Sequence, residues 1–161
     1  MTTTQIIGIG NTDRGDDAAG PAVVAALESR SPPEVTLRCA RGDVLALIDD
    51  WGGAERVFLV DAMAPDGAPG RVLRLDAGGA TVTPALGNFA SSHAFNLAEA
   101  IELARALDRL PRQLIVYGIE GLSFSHGAAL SDAVAAAVPE VARRIMEELK
   151  MEALSVCTKP H

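Results

Sequence analysis

Aromatic side chains make up only 4% of this 161-residue chain, and cysteine occurs twice, as Cys39 and Cys157. Neither belongs to a C-x-x-C pair, so a disulfide framework is not expected. Cys39 follows a strand-like run and reads as a small buried apolar residue. Basic residues are in deficit, 14 Lys and Arg against 21 Asp and Glu, for a net charge of −7. A phosphate backbone would be repelled, which argues against nucleic acid as a partner. No apolar run is long enough to cross a bilayer. The opening Met-Thr-Thr-Thr-Gln has no basic n-region and no cleavage site, so a cytoplasmic protein is expected. The chain also has no H-E-x-x-H, no Walker A pattern and no G-x-S-x-G.

What is present is an ordinary α/β profile, 48% hydrophobic and long enough for one domain with a proper core. Strands are predicted at Ile6–Ile9, Glu34–Cys39, Arg56–Asp61 and Gln113–Ile119, with a short edge strand at Arg71–Leu75. Helices are predicted from near Asp16 to Ser29, over Val44–Trp51, from Ser91-Ser92-His93 to about Leu107, and after Ser131. The third carries an apolar stripe of Leu97, Ile101, Ala104 and Leu107. The last carries Val134, Val138, Val141, Ile145 and Leu149, and Pro139 should kink or restart it. Asp76–Asn88 and Glu120–Ala128 read as loops. Arg143-Arg144 and Glu147-Glu148 read as a solvated helix face. This alternation predicts a twisted, mostly parallel sheet sandwiched between helices, in a single domain over residues 1–150 with a flexible tail at 151–161.

The richest segment is Ile6-Ile7-Gly8-Ile9-Gly10-Asn11-Thr12-Asp13-Arg14-Gly15-Asp16-Asp17-Ala18-Ala19-Gly20. An apolar strand runs into a glycine turn that ends in adjacent carboxylates where a helix should begin. Gly8-Ile9-Gly10 matches the start of a dinucleotide fingerprint, but the third glycine position is Asp13, and a pyrophosphate would then meet acid. A nucleotide-binding module is therefore the weakest reading. Asp61 ends the third strand, and His93 stands at a helix start. In open α/β sheets, sites form beyond the carboxyl ends of strands. Taken singly, each residue has an ordinary explanation as a helix cap, a turn or a solvated imidazole. Together, two carboxylates and one imidazole suit a borderline divalent metal such as nickel or zinc, or acid–base chemistry. Glu120 at a strand end is a further acid able to point inward, whereas Ser123, Ser125 and His126 read as surface loop.

The pattern G-I-G-N-x-x-x-G-D-D-x-x-G, then V-F-L-V-D-A, then S-S-H-x-F-x-L, then Y-G-I-E resembles the hydrogenase maturation endopeptidases, over roughly Ile6 to Leu149. The resemblance implies an endopeptidase that trims the C-terminal extension from a nickel–iron hydrogenase large subunit once nickel has been inserted. It implies metal contacts from Asp17, Asp61 and His93, made to nickel that the substrate carries, with no organic cofactor. Asp17 and Asp61 are the candidate catalytic carboxylates, one of them activating water, with Asp16 second in line. The partner implied is the large-subunit precursor, and a monomer is expected. Where many members have a Gly-Gly-Thr-like turn, this chain has Ala40-Arg41-Gly42-Asp43. The alternative function is a non-catalytic metal-sensing or docking protein of the same fold.

Overall fold

Runs of β-branched and aliphatic residues set the architecture. The computed structural model describes residues 3–41, 43–77 and 97–158. Five strands, β1 (Thr4–Ile9), β2 (Val35–Ala40), β3 (Arg56–Met63), β4 (Val72–Asp76) and β5 (Gln113–Glu120), form one sheet in the order β2-β1-β3-β5-β4. All neighbouring pairs are parallel except β4 with β5, which is antiparallel. Every residue of β3 is buried, as a continuous apolar run in the middle of a parallel sheet should be. The edge strands β2 and β4 instead expose Thr36, Arg38, Arg74 and Asp76, polar positions that discourage pairing with another chain.

Side chains alternate across β3, so it feeds two cores. Val57 and Leu59 join Ile7, Leu114 and Val116 beneath helices α2 (Val44–Trp51) and α3 (Leu97–Ala106). Phe58, Val60 and Ala62 join Ile6, Ile115 and Tyr117 beneath α1 (Ala19–Leu27) and α4 (Asp132–Thr158). The molecule is thus the expected mostly parallel sheet between helical layers.

Several local expectations need correction. Cys39 is exposed, because β2 is an edge strand flanked only by β1. Leu107 lies beyond the last turn of α3 and is exposed. Asp61 does not end β3, which continues to Met63. Pro139 does not restart the last helix. α4 runs unbroken from Asp132 to Thr158, and Pro139 is on its exposed side, where water can satisfy the carbonyl that lost its partner. Helical structure therefore extends into the segment that the sequence reading assigns to a tail. Glu148 is not on the solvated face: it accepts hydrogen bonds from the Tyr117 hydroxyl and from Arg74 Nε (3.1 Å). Only Arg143 and Glu147 form the expected surface pair, at 2.7 Å. α2 is capped by Asp43, whose Oδ1 accepts the N–H groups of Leu45 and Ala46 at 3.0 and 3.2 Å.

Candidate active site

Six polar or charged residues are buried in the described structure, and four of them are acids: Asp16, Asp17, Asp61 and Glu120. All four lie at the carboxyl edge of the sheet, where parallel α/β sheets place their sites.

The first acids are brought there by a tight return of the chain after β1. Gly10 has φ 151°, and a Cβ on it would stand 1.9 Å from the Asp17 carbonyl oxygen. Only glycine permits that approach. Asn11 shapes the same loop: its Oδ1 accepts the Asp13 N–H at 2.9 Å, and its own N–H donates to Asp17 Oδ2 at 2.9 Å. A 3-10 turn, Gly15–Ala18, then carries Asp16 and Asp17 into α1. Helix α1 lies directly on the sheet backbone, since a Cβ on Gly20 would meet Val60 O at 2.5 Å and Ile9 O at 2.6 Å. The glycines of the motif therefore serve close packing of α1 on the sheet.

Asp17 is 1% exposed and Asp61 is 2% exposed. Asp61 lies opposite Gly118 of β5, one residue past Val60, which pairs with Gly8. By strand alternation it faces the α2/α3 side, in line with Val57 and Leu59. Asp17, just after β1, and Asp61, near the end of the neighbouring β3, thus both lie at the carboxyl edge of the sheet. His93 and its Ser91-Ser92 cap lie outside the described residues. Among the described residues, no three His, Cys, Asp or Glu side chains group to hold a metal ion. The two buried carboxylates are hard oxygen donors, which a divalent metal accepts readily.

The other two acids have well-defined protein partners. Asp16 accepts from the Leu122, Ser123 and Ser131 N–H groups and from the Ser131 hydroxyl, all within 3.0 Å. Burial pushes its pKa up, but these donors outweigh burial and hold the carboxyl below its ordinary value. Asp16 is therefore tied into the scaffold. Glu120 does point inward: its Oε2 accepts the Ala68 N–H at 2.6 Å and its Oε1 pairs with Arg71 at 3.2 Å. This ties the β3–β4 loop to the end of β5. The part of Arg71 was missed from the sequence, since no local pattern joins it to a residue 49 positions on. Ser125 and His126 are exposed and Ser123 half-buried, as expected of a surface loop. A cleft of about 470 Å³ lies at the opposite, amino edge, lined by residues such as Asp49, Gly53, Arg109 and Arg112. It contains none of the candidate residues. No helix among the described residues is long and apolar enough to cross a membrane.

The model of the hydrogenase maturation protease family matches residues 22–148. That match begins after the first acid motif, so it is independent of the glycine–aspartate segment. No curated protein matches the chain. Among solved structures, the [NiFe] hydrogenase maturation protease HybD of Thermococcus kodakarensis is 28% identical, with 92% of this chain and 99% of that one covered and a TM-score of 0.74. The HycI protease of the same organism is 25% identical, with coverage of 92% and 93% and a TM-score of 0.68. The maturating endopeptidase HybD of E. coli shares the fold, with a TM-score of 0.77 and 24% identity over 94% of each chain. The chain belongs to the hydrogenase maturation protease family.

Proposed function

We propose that this peptidase removes the C-terminal extension of a nickel-loaded nickel–iron hydrogenase large-subunit precursor, and that Asp17, Asp61 and His93 dock on the nickel the substrate carries. The observation that carries this reading is the burial of Asp17 and Asp61 at the carboxyl edge of the sheet in a chain of this family. Carboxylates held out of bulk water attract a divalent ion more strongly than exposed ones, because the surrounding dielectric is lower. Two oxygens and one imidazole form a set that suits nickel. An incomplete set of this kind binds the ion best when the precursor supplies the remaining ligands.

Once the precursor is docked, one of the two aspartates takes a proton from water as general base. The resulting hydroxide adds to the scissile carbonyl. The tetrahedral oxyanion then collapses, the C–N bond breaks, and the aspartic acid returns its proton to the departing amine. Nickel belongs to the substrate in this scheme, and no organic cofactor takes part. We place the enzyme in the cytoplasm as a monomer.

The test mixes the protein with nickel-loaded and nickel-free precursor and reads intact mass. Loss of a defined C-terminal peptide from the loaded form alone is expected. Asp17→Ala, Asp61→Asn and His93→Ala should each abolish that loss while keeping the fold, because removing one member of an acid pair relieves repulsion. Cleavage by the His93→Ala protein at the wild-type rate would remove His93 from the scheme. Nickel-dependent capture of precursor that is never shortened would favour the docking-protein reading instead.

A further inference from the structure

Asp16 and Asp17 are neighbours in the chain, but their carboxylates do different work. Four donors converge on Asp16. Oδ2 accepts the Leu122 N–H (2.7 Å), the Ser123 N–H (3.0 Å) and the Ser131 hydroxyl (2.9 Å), and Oδ1 accepts the Ser131 N–H (2.7 Å). A carboxylate offers about four lone-pair sites, and four donors already engage Asp16, which makes it a poor acceptor of a proton from water. Every donor comes from the 121–131 segment that joins β5 to α4.

Three backbone bonds run beside this clamp. The Gly15 N–H donates to Ala128 O (3.1 Å), the Asp16 N–H to Ser123 O (2.9 Å), and the Gly127 N–H to Asp13 O (2.7 Å). The turn carrying Asp17 and the loop after β5 are thereby joined into one wall at the carboxyl edge. There is little slack in it, because a Cβ on Gly121 would stand 3.1 Å from Asp16 Cβ.

We propose that Asp16 is a positioning residue for the peptide cleavage: by clamping the 121–131 loop to the 3-10 turn, it fixes where the Asp17 carboxylate stands. The inference rests on the reading of Asp17 as a reacting group. The two residues share a peptide unit, so release of the clamp lets that unit turn and carries the Asp17 side chain with it. A displacement of about 1 Å in a reacting group costs on the order of 100-fold in rate. Asp16→Asn releases the clamp without changing its size, because the amide nitrogen that replaces one oxygen is a donor facing donors. Ser131→Ala removes only the hydroxyl bond and is the milder change.

The experiment compares wild type, Asp16→Asn and Ser131→Ala on the nickel-loaded precursor, with kcat and KM separated and amide hydrogen exchange followed in parallel. For Asp16→Asn, kcat should fall by about 100-fold with KM within about threefold. Exchange should quicken at 121–131 and stay slow in β3 and β5. Ser131→Ala should show a smaller fall in kcat in the same direction. An Asp16→Asn protein that exchanges faster in the loop but keeps wild-type kcat would overturn the inference and leave Asp16 a purely structural clamp. If Asp16→Asn loses protection throughout the sheet, Ser131→Ala decides alone: a lower kcat in a folded protein supports the role, and an unchanged kcat overturns it. Wild type that cuts neither precursor form overturns the proposed function and this inference with it. Wild type that cuts while Asp16→Asn is normal overturns the inference alone.

Discussion

The single tyrosine of the chain, Tyr117, is a direct optical probe of the core between the sheet and α4. Its ring is 1% exposed. Its hydroxyl donates to Glu148, which also pairs with Arg74. Burial first, and then the hydrogen bond to Glu148 and its negative charge, raise the phenol from 10.0 to about 12, while the Arg144 and Arg74 charges oppose the rise. The neutral phenol is therefore the form the fold favours. Its contribution is fully present below the ordinary value of 10 and is lost as pH rises from there through about 12. One pKa unit corresponds to about 1.4 kcal/mol, so the loss across this window is on the order of 3 kcal/mol. Phenolate absorbance after a rapid pH jump reads the folded phenol before the chain unfolds, and only one residue contributes. The wild-type midpoint should lie near 12. Glu148→Gln removes the charged acceptor and leaves both arginines, so its midpoint should fall clearly below wild type. A wild-type midpoint at the ordinary tyrosine value, or one that Glu148→Gln does not move, would refute this account of the cluster.

Gly20→Ala should destabilise the protein by about 3 kcal/mol, although alanine is the better helix former by about 1 kcal/mol. The new Cβ would meet the backbone of Val60 and Ile9 at 2.5–2.7 Å, and backbone cannot swing aside. Urea denaturation gives the sign, and a more stable variant would show that α1 does not sit on the sheet as described. Asp43→Ala should cost about 1 kcal/mol by removing the acceptor for Leu45 and Ala46. A shift in denaturation midpoint at constant slope measures it.

The sheet was legible because its signals are local. Arg56–Asp61 is a largely apolar run of the kind a buried parallel strand shows, and the charges within Arg71–Leu75 mark an edge. The acid motif was legible in part for the same reason, since glycine, asparagine and aspartate at close spacing betray a tight turn. The distinct task of Asp16 was not legible. Its donors lie more than 100 positions away, and a backbone N–H leaves no mark in a sequence. Glu148 was misread because the pattern of α4 shows an amphipathic helix but not Tyr117 and Arg74 waiting across from it. Cys39 was misread because its run looks like any strand, and burial depends on whether a neighbour covers it.

The clamp between the first turn and the last helix has a consequence for biosynthesis. A chain leaves the ribosome from its N-terminus, and the glycine–aspartate turn emerges more than 100 residues ahead of its anchoring partners. Those partners are Leu122, Ser123 and Ser131. The clamp cannot form until the loop after β5 has been translated. A nascent chain that ends before this loop therefore carries its first acids without the donors that hold Asp16 in the folded protein.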